Sequence, residues 1–102
     1  MKKYDVFISD IAQQDINAYI NYISQKYHSP LTALRNYNGL FDTINSLRFQ
    51  ADSFAINKSR HLRQFGFEVR RVNYKKMTII YTLHGNMIYI HRIVAASMIV
   101  GL

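Results

Sequence analysis

Hydrophobic positions change their period along the chain, and each change marks an element. In residues 3–8, KYDVFI, Tyr4, Val6 and Ile8 alternate with Lys3, Asp5 and Phe7, the period of two expected of a strand with one buried face. Ser9 and Asp10 then offer side-chain oxygens to the unpaired N–H groups of a helix start. Ala12, Ile16, Tyr19, Ile20, Ile23 and Tyr27 follow at spacings of three and four, one face of a first helix. Asp10 and Asp15 lie in its early turns, where negative charge complements the helix dipole. His28-Ser29-Pro30 ends that helix and begins another, with Ser29 as N-cap and Pro30 at the first helical position. Leu31, Leu34, Asn38, Phe41, Ile44 and Leu47 repeat at helical spacing, widened by Tyr37 and Leu40. So short a connection predicts an antiparallel helical hairpin. Gly39 sits inside the second helix at a cost of roughly 1 kcal/mol relative to alanine, and close approach to the first helix or to a sheet would account for it.

Residues 50–64, QADSFAINKSRHLRQ, lose periodicity and read as a surface connection with one short turn of helix. Alternation then returns. FGFEVRRV places Phe67, Val69 and Arg71 on one face and Glu68, Arg70 and Val72 on the other. MTIIYTL follows NYKK, and NMIYIHRIVA follows His84-Gly85, a hairpin turn in which glycine takes positive φ at no steric cost. Ile88, Ile90 and Arg92 are expected on one face of the last strand, Tyr89, His91 and Ile93 on the other. The order is β-α-α-β-β-β, an α+β domain over 1–102 with a helical hairpin packed on one face of a mostly antiparallel sheet.

Composition narrows the class. With 49% apolar and 14% aromatic residues, 102 residues suffice for one domain with a real core. No stretch approaches the run of about 20 apolar residues that spans a membrane, and MKKYDVFISD is too short and too polar for a signal peptide. The absence of cysteine excludes a disulfide framework, a thiol nucleophile and a thiolate metal site. A cytoplasmic protein is the simplest expectation.

Charge is more informative once located. Five basic residues match five acidic ones in residues 1–52, whereas 53–102 hold eight basic residues against Glu68 alone, so the whole net charge of +7 lies in the second half. Arg70, Arg71, Lys75 and Lys76 crowd into RRVNYKKMTIIY. With Arg92 they are expected to form one continuous cationic sheet surface, braced by a neutral helical pair and facing something acidic. An ordinary solvated face is the simplest reading of such a cluster. Nucleic-acid contact is a second, with guanidinium groups on phosphate and Tyr74, Tyr81 and Tyr89 available to stack bases, although tyrosines at strand spacing more often pack in a sheet. Metal-free RNA cleavage is a third, drawing its acids and bases from His61, His84, His91, Tyr81 and the arginines. His84 is most simply a turn residue. The four histidines show no i, i+4 pairing and no carboxylate companions, so neither a metal nor another cofactor is expected.

YDVFISDIAQQDINAYINYI, SPLTALRNYNGLFDTINSL, the Arg and Gly of RHLRQFGFEVRRVNYKKMTIIY, and MIYIHRI together resemble the RelE/ParE superfamily of toxins from bacterial type II toxin–antitoxin modules. The likeness runs nearly the full length, and it rests on order and spacing more than on any single motif. It implies a small basic toxin neutralised by an acidic antitoxin that wraps it with helical and extended segments. Arg70 or Arg71 matches the family's arginine in the strand after the hairpin, Tyr81 the tyrosine ending the next strand, and Arg92 the last-strand arginine of ParE-like chains. RelE-like members cleave ribosome-bound mRNA, and there the resemblance makes Arg70, Arg71, Tyr81, His91 and Arg92 the catalytic set. Arginine would stabilise phosphate, and Tyr or His would move the proton. The tail VAASMIVGL has no cation or aromatic where those nucleases carry one, and Ala95 stands near a position where ParE-like chains commonly have histidine. The resemblance thus implies a ParE-like toxin acting on DNA gyrase, with an mRNA endonuclease as runner-up and a non-toxic basic binding module as the remaining class. Arg60, Arg63, Arg70, Arg71, Lys75, Lys76 and Arg92 are the expected contacts to antitoxin or target.

Overall fold

The computed structural model describes residues 3–99; Lys2 and the last three residues of the VAASMIVGL tail lie outside them. Strand β1 (Asp5–Ile8) leads into helices α1 (Asp10–Tyr27) and α2 (Pro30–Gln50), then strands β2 (Arg70–Tyr74), β3 (Met77–His84) and β4 (Met87–Ala95). The strands form one sheet in the order β1-β4-β3-β2. β2–β3 and β3–β4 are antiparallel and β1 runs parallel to β4, so the α+β architecture is the expected one with a single parallel pairing at an edge.

Both helices start where the side chains allow it. Ser9 Oγ accepts the Ala12 N–H at 3.0 Å, and Ser29 Oγ accepts the Thr32 N–H at 3.2 Å with Pro30 in the first turn. His28 closes α1 in the left-handed region at φ 49°, which reverses the chain into α2. The hairpin lies on one sheet face, where Ala12 and Ile16 of α1 and Leu40, Ile44 and Leu47 of α2 meet Ile79, Tyr81, Ile88, Ile90 and Ile93. Tyr4 begins the chain's contribution to that core, its N–H donating to the Arg48 carbonyl at 2.8 Å.

Three expectations are corrected. In α2 the buried stripe is Ala33, Asn36, Leu40, Ile44 and Leu47, while Leu31 and Leu34 are 56% and 54% exposed and Asn38 is exposed. The helix carries apolar residues at helical spacing on two stripes, and packing chose the one with the smaller residue near its start. The connection over 50–64 is not merely surface. Its 3-10 helix Arg60–Phe65 buries Leu62 completely and, with Phe65, Val69, Ile80, Val94 and Ile99, forms a second apolar cluster on the sheet face away from the helices.

The third correction concerns β4. Tyr81 pairs with Ile90 but Ile80 pairs with Arg92, which leaves His91 as an extra residue in a β-bulge. Strict alternation would continue Ile88 and Ile90 into Arg92 on the core side. The bulge shifts the parity by one, so Ile93 enters the core and Arg92 is turned aside. A buried unpaired guanidinium would cost several kcal/mol, whereas a fully buried isoleucine contributes about 1.5–3 kcal/mol.

Gly39 has its explanation in the sheet. A Cβ at that position would fall 2.1 Å from the Tyr74 hydroxyl and 2.8 Å from a ring carbon. Gly39→Ala should therefore destabilise the protein by about 1–3 kcal/mol through overpacking, against the gain in helix propensity. A lowered urea midpoint checks this; an unchanged or raised midpoint means that Tyr74 swings away freely.

Candidate functional site

Adjacent residues in a strand point to opposite faces, and this separates the two arginines expected to act together. Arg70 is in register with buried Tyr81 on the helix side, and Arg71 with Ile80 on the other. Arg70 Nη1 donates to the carbonyl of Asp52 at 2.9 Å and to that of Phe54. Tyr81 is wholly buried, and its hydroxyl donates to the Ala51 carbonyl at 2.7 Å. Together they tie the 3-10 turn after α2 to the sheet. Burial pushes the Tyr81 phenol up to about 12, with Arg70 opposing the rise and Asp52 and Tyr4 adding to it.

Arg92 is committed as well. Its Nε and Nη2 donate to the two oxygens of Asp15 at 2.8 and 3.0 Å, and the Ile93 N–H donates to the same carboxylate at 3.0 Å. Of the five residues expected to act on RNA, Arg70, Tyr81 and Arg92 thus each hold an internal partner, and only Arg71 and His91 share the sheet face opposite the helices. The expected continuous cationic surface is divided accordingly. Lys75, Lys76 and Arg92 line a groove of about 890 Å³ between α1 and the ends of β3 and β4, together with Lys26 and the rings of Tyr19 and Tyr22. Lys75 Nζ donates to Asn36 Oδ1 at 3.2 Å, an oxygen that also accepts the Tyr19 hydroxyl at 3.0 Å. Arg71 lies on the opposite face, and exposed Arg60 and Arg63 ride on the 3-10 helix that covers part of it.

That opposite face also carries a cluster which strand spacing did not reveal. Thr82 Oγ1 lies 2.8 Å from His84 Nε2 and 2.8 Å from His91 Nε2. A hydroxyl bridging two neutral imidazoles donates to one and accepts from the other, which fixes opposite tautomers on the two rings. Tyr89 stands 4.6 Å from the His91 ring and 5.2 Å from Phe7, and Phe65 stands 5.4 Å from His91, centroid to centroid. The one legible signal was the alternation of Tyr89 and His91; the link to Phe7 needs the parallel β1–β4 pairing, and the links to Thr82 and His84 need the antiparallel register of β3 and β4. Burial first, and His84 second, hold His91 below the usual imidazole range. Among the described residues no group of three or more metal-ligating side chains occurs.

No family model matches this chain, and no curated protein does. A chain from the chromosomal ParDE TA system of P. aeruginosa superposes with a TM-score of 0.74 at 18% identity, over 91% of this chain and 96% of that one. The fold is RelE/ParE-like. Within this fold the bidentate Asp15–Arg92 pair joins α1 to β4, and the Arg70 and Tyr81 bonds join the end of α2 to β2 and β3.

Two outcomes follow from these contacts. Arg70→Ser should lower stability by about 1–2 kcal/mol, because charge-assisted bonds to two carbonyls are lost, while Arg71→Ser should cost under about 0.5 kcal/mol; urea denaturation of the two variants separates them, and equal losses would show that Arg70 has no special structural part. An NMR titration should place the His91 midpoint below that of a free imidazole, about 6.5. The folded state then binds this proton less readily than the unfolded chain. The stability so contributed is complete above about pH 6.5 and is lost as pH falls through the lowered folded value.

Proposed function

We propose that this chain is the toxin of a type II toxin–antitoxin pair, a cytoplasmic growth inhibitor of the ParE-like kind that acts on DNA gyrase and is silenced by an acidic antitoxin. The observation that carries this reading is the near full-length likeness, in both directions, to a chain of a ParDE system. The groove supplies a physical reason for an acidic partner. Its floor is aromatic and apolar, and Lys26, Lys75 and Lys76 stand around it beside an Arg92 already neutralised by Asp15. Carboxylates of an amphipathic segment would meet these ammonium groups while its apolar side chains fill the floor.

Gyrase is preferred over message cleavage because Arg70, Tyr81 and Arg92 are each engaged internally. A phenol raised to about 12 and bonded to a carbonyl is a poor proton donor to an outside substrate. The nuclease reading retains Arg71 and His91, and the histidine pair bridged by Thr82 is the feature in its favour.

Inducible expression should arrest growth, and purified protein should inhibit supercoiling by gyrase in vitro. Primer extension on a message after induction should show no new 5′ ends. New 5′ ends with intact supercoiling would move the assignment to the nuclease, and harmless expression with silence in both assays would leave a binding module. Lys75→Glu/Lys76→Glu should weaken capture by the acidic partner on the order of tenfold at low salt, and less at high salt; unchanged capture would place the partner elsewhere.

A further inference from the structure

We infer that the outward face of α2 is a self-pairing surface, on which α2 of a second copy of this chain lies antiparallel about a two-fold axis. The face is the stripe that the core did not take. Leu31, Arg35, Asn38, Asp42, Asn45 and Phe49 recur at alternating steps of four and three, a seam that runs nearly the whole length of a helix of about 30 Å. All six are exposed, Leu31 and Phe49 by more than half. Leu34, equally exposed, and the half-buried Phe41, its ring 4.7 Å from that of Tyr37, widen the seam along one side.

The charges on this seam are unmatched within one chain and matched by its copy. Arg35 and Asp42 stand on one line two turns apart, about 10.5 Å along the axis, too far to join each other. Among the described residues the one ion pair is Arg92–Asp15, so neither holds a partner of opposite charge. In an isologous contact every pairing is made twice. Antiparallel alignment about an axis through the middle of α2 sets Leu31 against Phe49 of the second copy and Asn38 against its Asp42. Arg35 then stands within one turn of that same Asp42, a gap its long stem can span. Parallel alignment would set Arg35 against Arg35 and Asp42 against Asp42, which repels. The polar centre therefore fixes direction and register, as polar seam positions do in coiled coils, and the apolar ends supply the burial.

The charge of the whole molecule points the same way. Across the hairpin Asp10, Asp15 and Asp42 balance Lys26, Arg35 and Arg48, three against three, while residues 53–102 carry the whole net charge of +7. Two copies meeting through the sheet would bring like charges together. The hairpin lets them approach with the basic half of each turned away. The groove beside α1 stays open in such a pair, because its α2 residues, Thr32 and Asn36, lie on the α1 side, where Asn36 accepts the Tyr19 hydroxyl. The pairing thus stands whether or not the chain is a toxin. One helix laid on one helix buries less than the roughly 800 Å² per partner of a standard interface, so the dimer is a micromolar one that forms and dissociates with concentration.

The test is sedimentation velocity of the full chain from micromolar to millimolar concentration, where the average mass should rise from one chain toward two. Arg35→Asp and Asp42→Arg should each weaken self-association on the order of tenfold, because each makes both cross-pairs like-charged. Both positions are exposed, so circular dichroism and the urea midpoint should stay close to those of the parent. An equimolar mixture of the two variants should recover the parent's dimerisation, since every cross-pair in the mixed dimer is again of opposite sign. Recovery by mixing cannot come from misfolding. A parent that stays monomeric up to about a millimolar would overturn the pairing and leave the seam to a partner of other sequence. Single variants that dimerise like the parent, or a mixture that stays monomeric, would overturn it as well.

Discussion

The carboxylate of Asp15 completes a sheet edge that the chain itself leaves unfinished. β1 pairs with β4 only from Met87 to Ile90, and the parallel strand then turns into α1. Ser9 takes the next contacts, its N–H donating to the Ile90 carbonyl and its hydroxyl to the His91 carbonyl. Asp15, further along α1, accepts the Ile93 N–H and both arms of Arg92. A helix thereby closes an edge whose open N–H groups would otherwise be left for water or for another chain. The side-chain pairing also fixes how far along β4 the helix can sit, and so where the hairpin lies on the sheet.

This closure and the bulge at His91 depend on each other. Without the extra residue, Arg92 would follow Ile88 and Ile90 into the core. With it, Ile93 packs there and the guanidinium reaches Asp15. His91 keeps the place on the opposite face that alternation from Ile90 gives it, against Tyr89, Phe65 and Thr82. One inserted position thus serves the core and the helix contact at once.

The division of charge has a similar origin. Net charge concentrated in the second half of the chain suggests a single cationic surface, but β2 alternates and sends Arg70 and Arg71 to opposite sides. Arg70 becomes a structural cross-link, the groove beside α1 keeps Lys75 and Lys76, and the open face keeps Arg71 with Arg60 and Arg63. Two basic regions of different character result, one floored by tyrosines and methionines between helix and strand, the other bordering stacked rings on a sheet.

Local rules determined the element order, the caps at Ser9 and Ser29, the turn at Gly85 and the tight packing foreseen at Gly39, because each depends on backbone sterics and spacing within a few residues. Residue chemistry likewise placed Tyr4, Val6 and Ile8 inward and left Phe7 outward. What periodicity could not decide was any matter of pairing: which of two apolar stripes on α2 is buried, where β4 gains a residue, and which cation finds a carboxylate or carbonyl. Those outcomes are set by contacts between residues tens of positions apart, such as Arg92 with Asp15 and Tyr81 with Ala51. Only the folded packing brings them within a few ångströms, and there the cost of burying an unpaired polar group selects the arrangement.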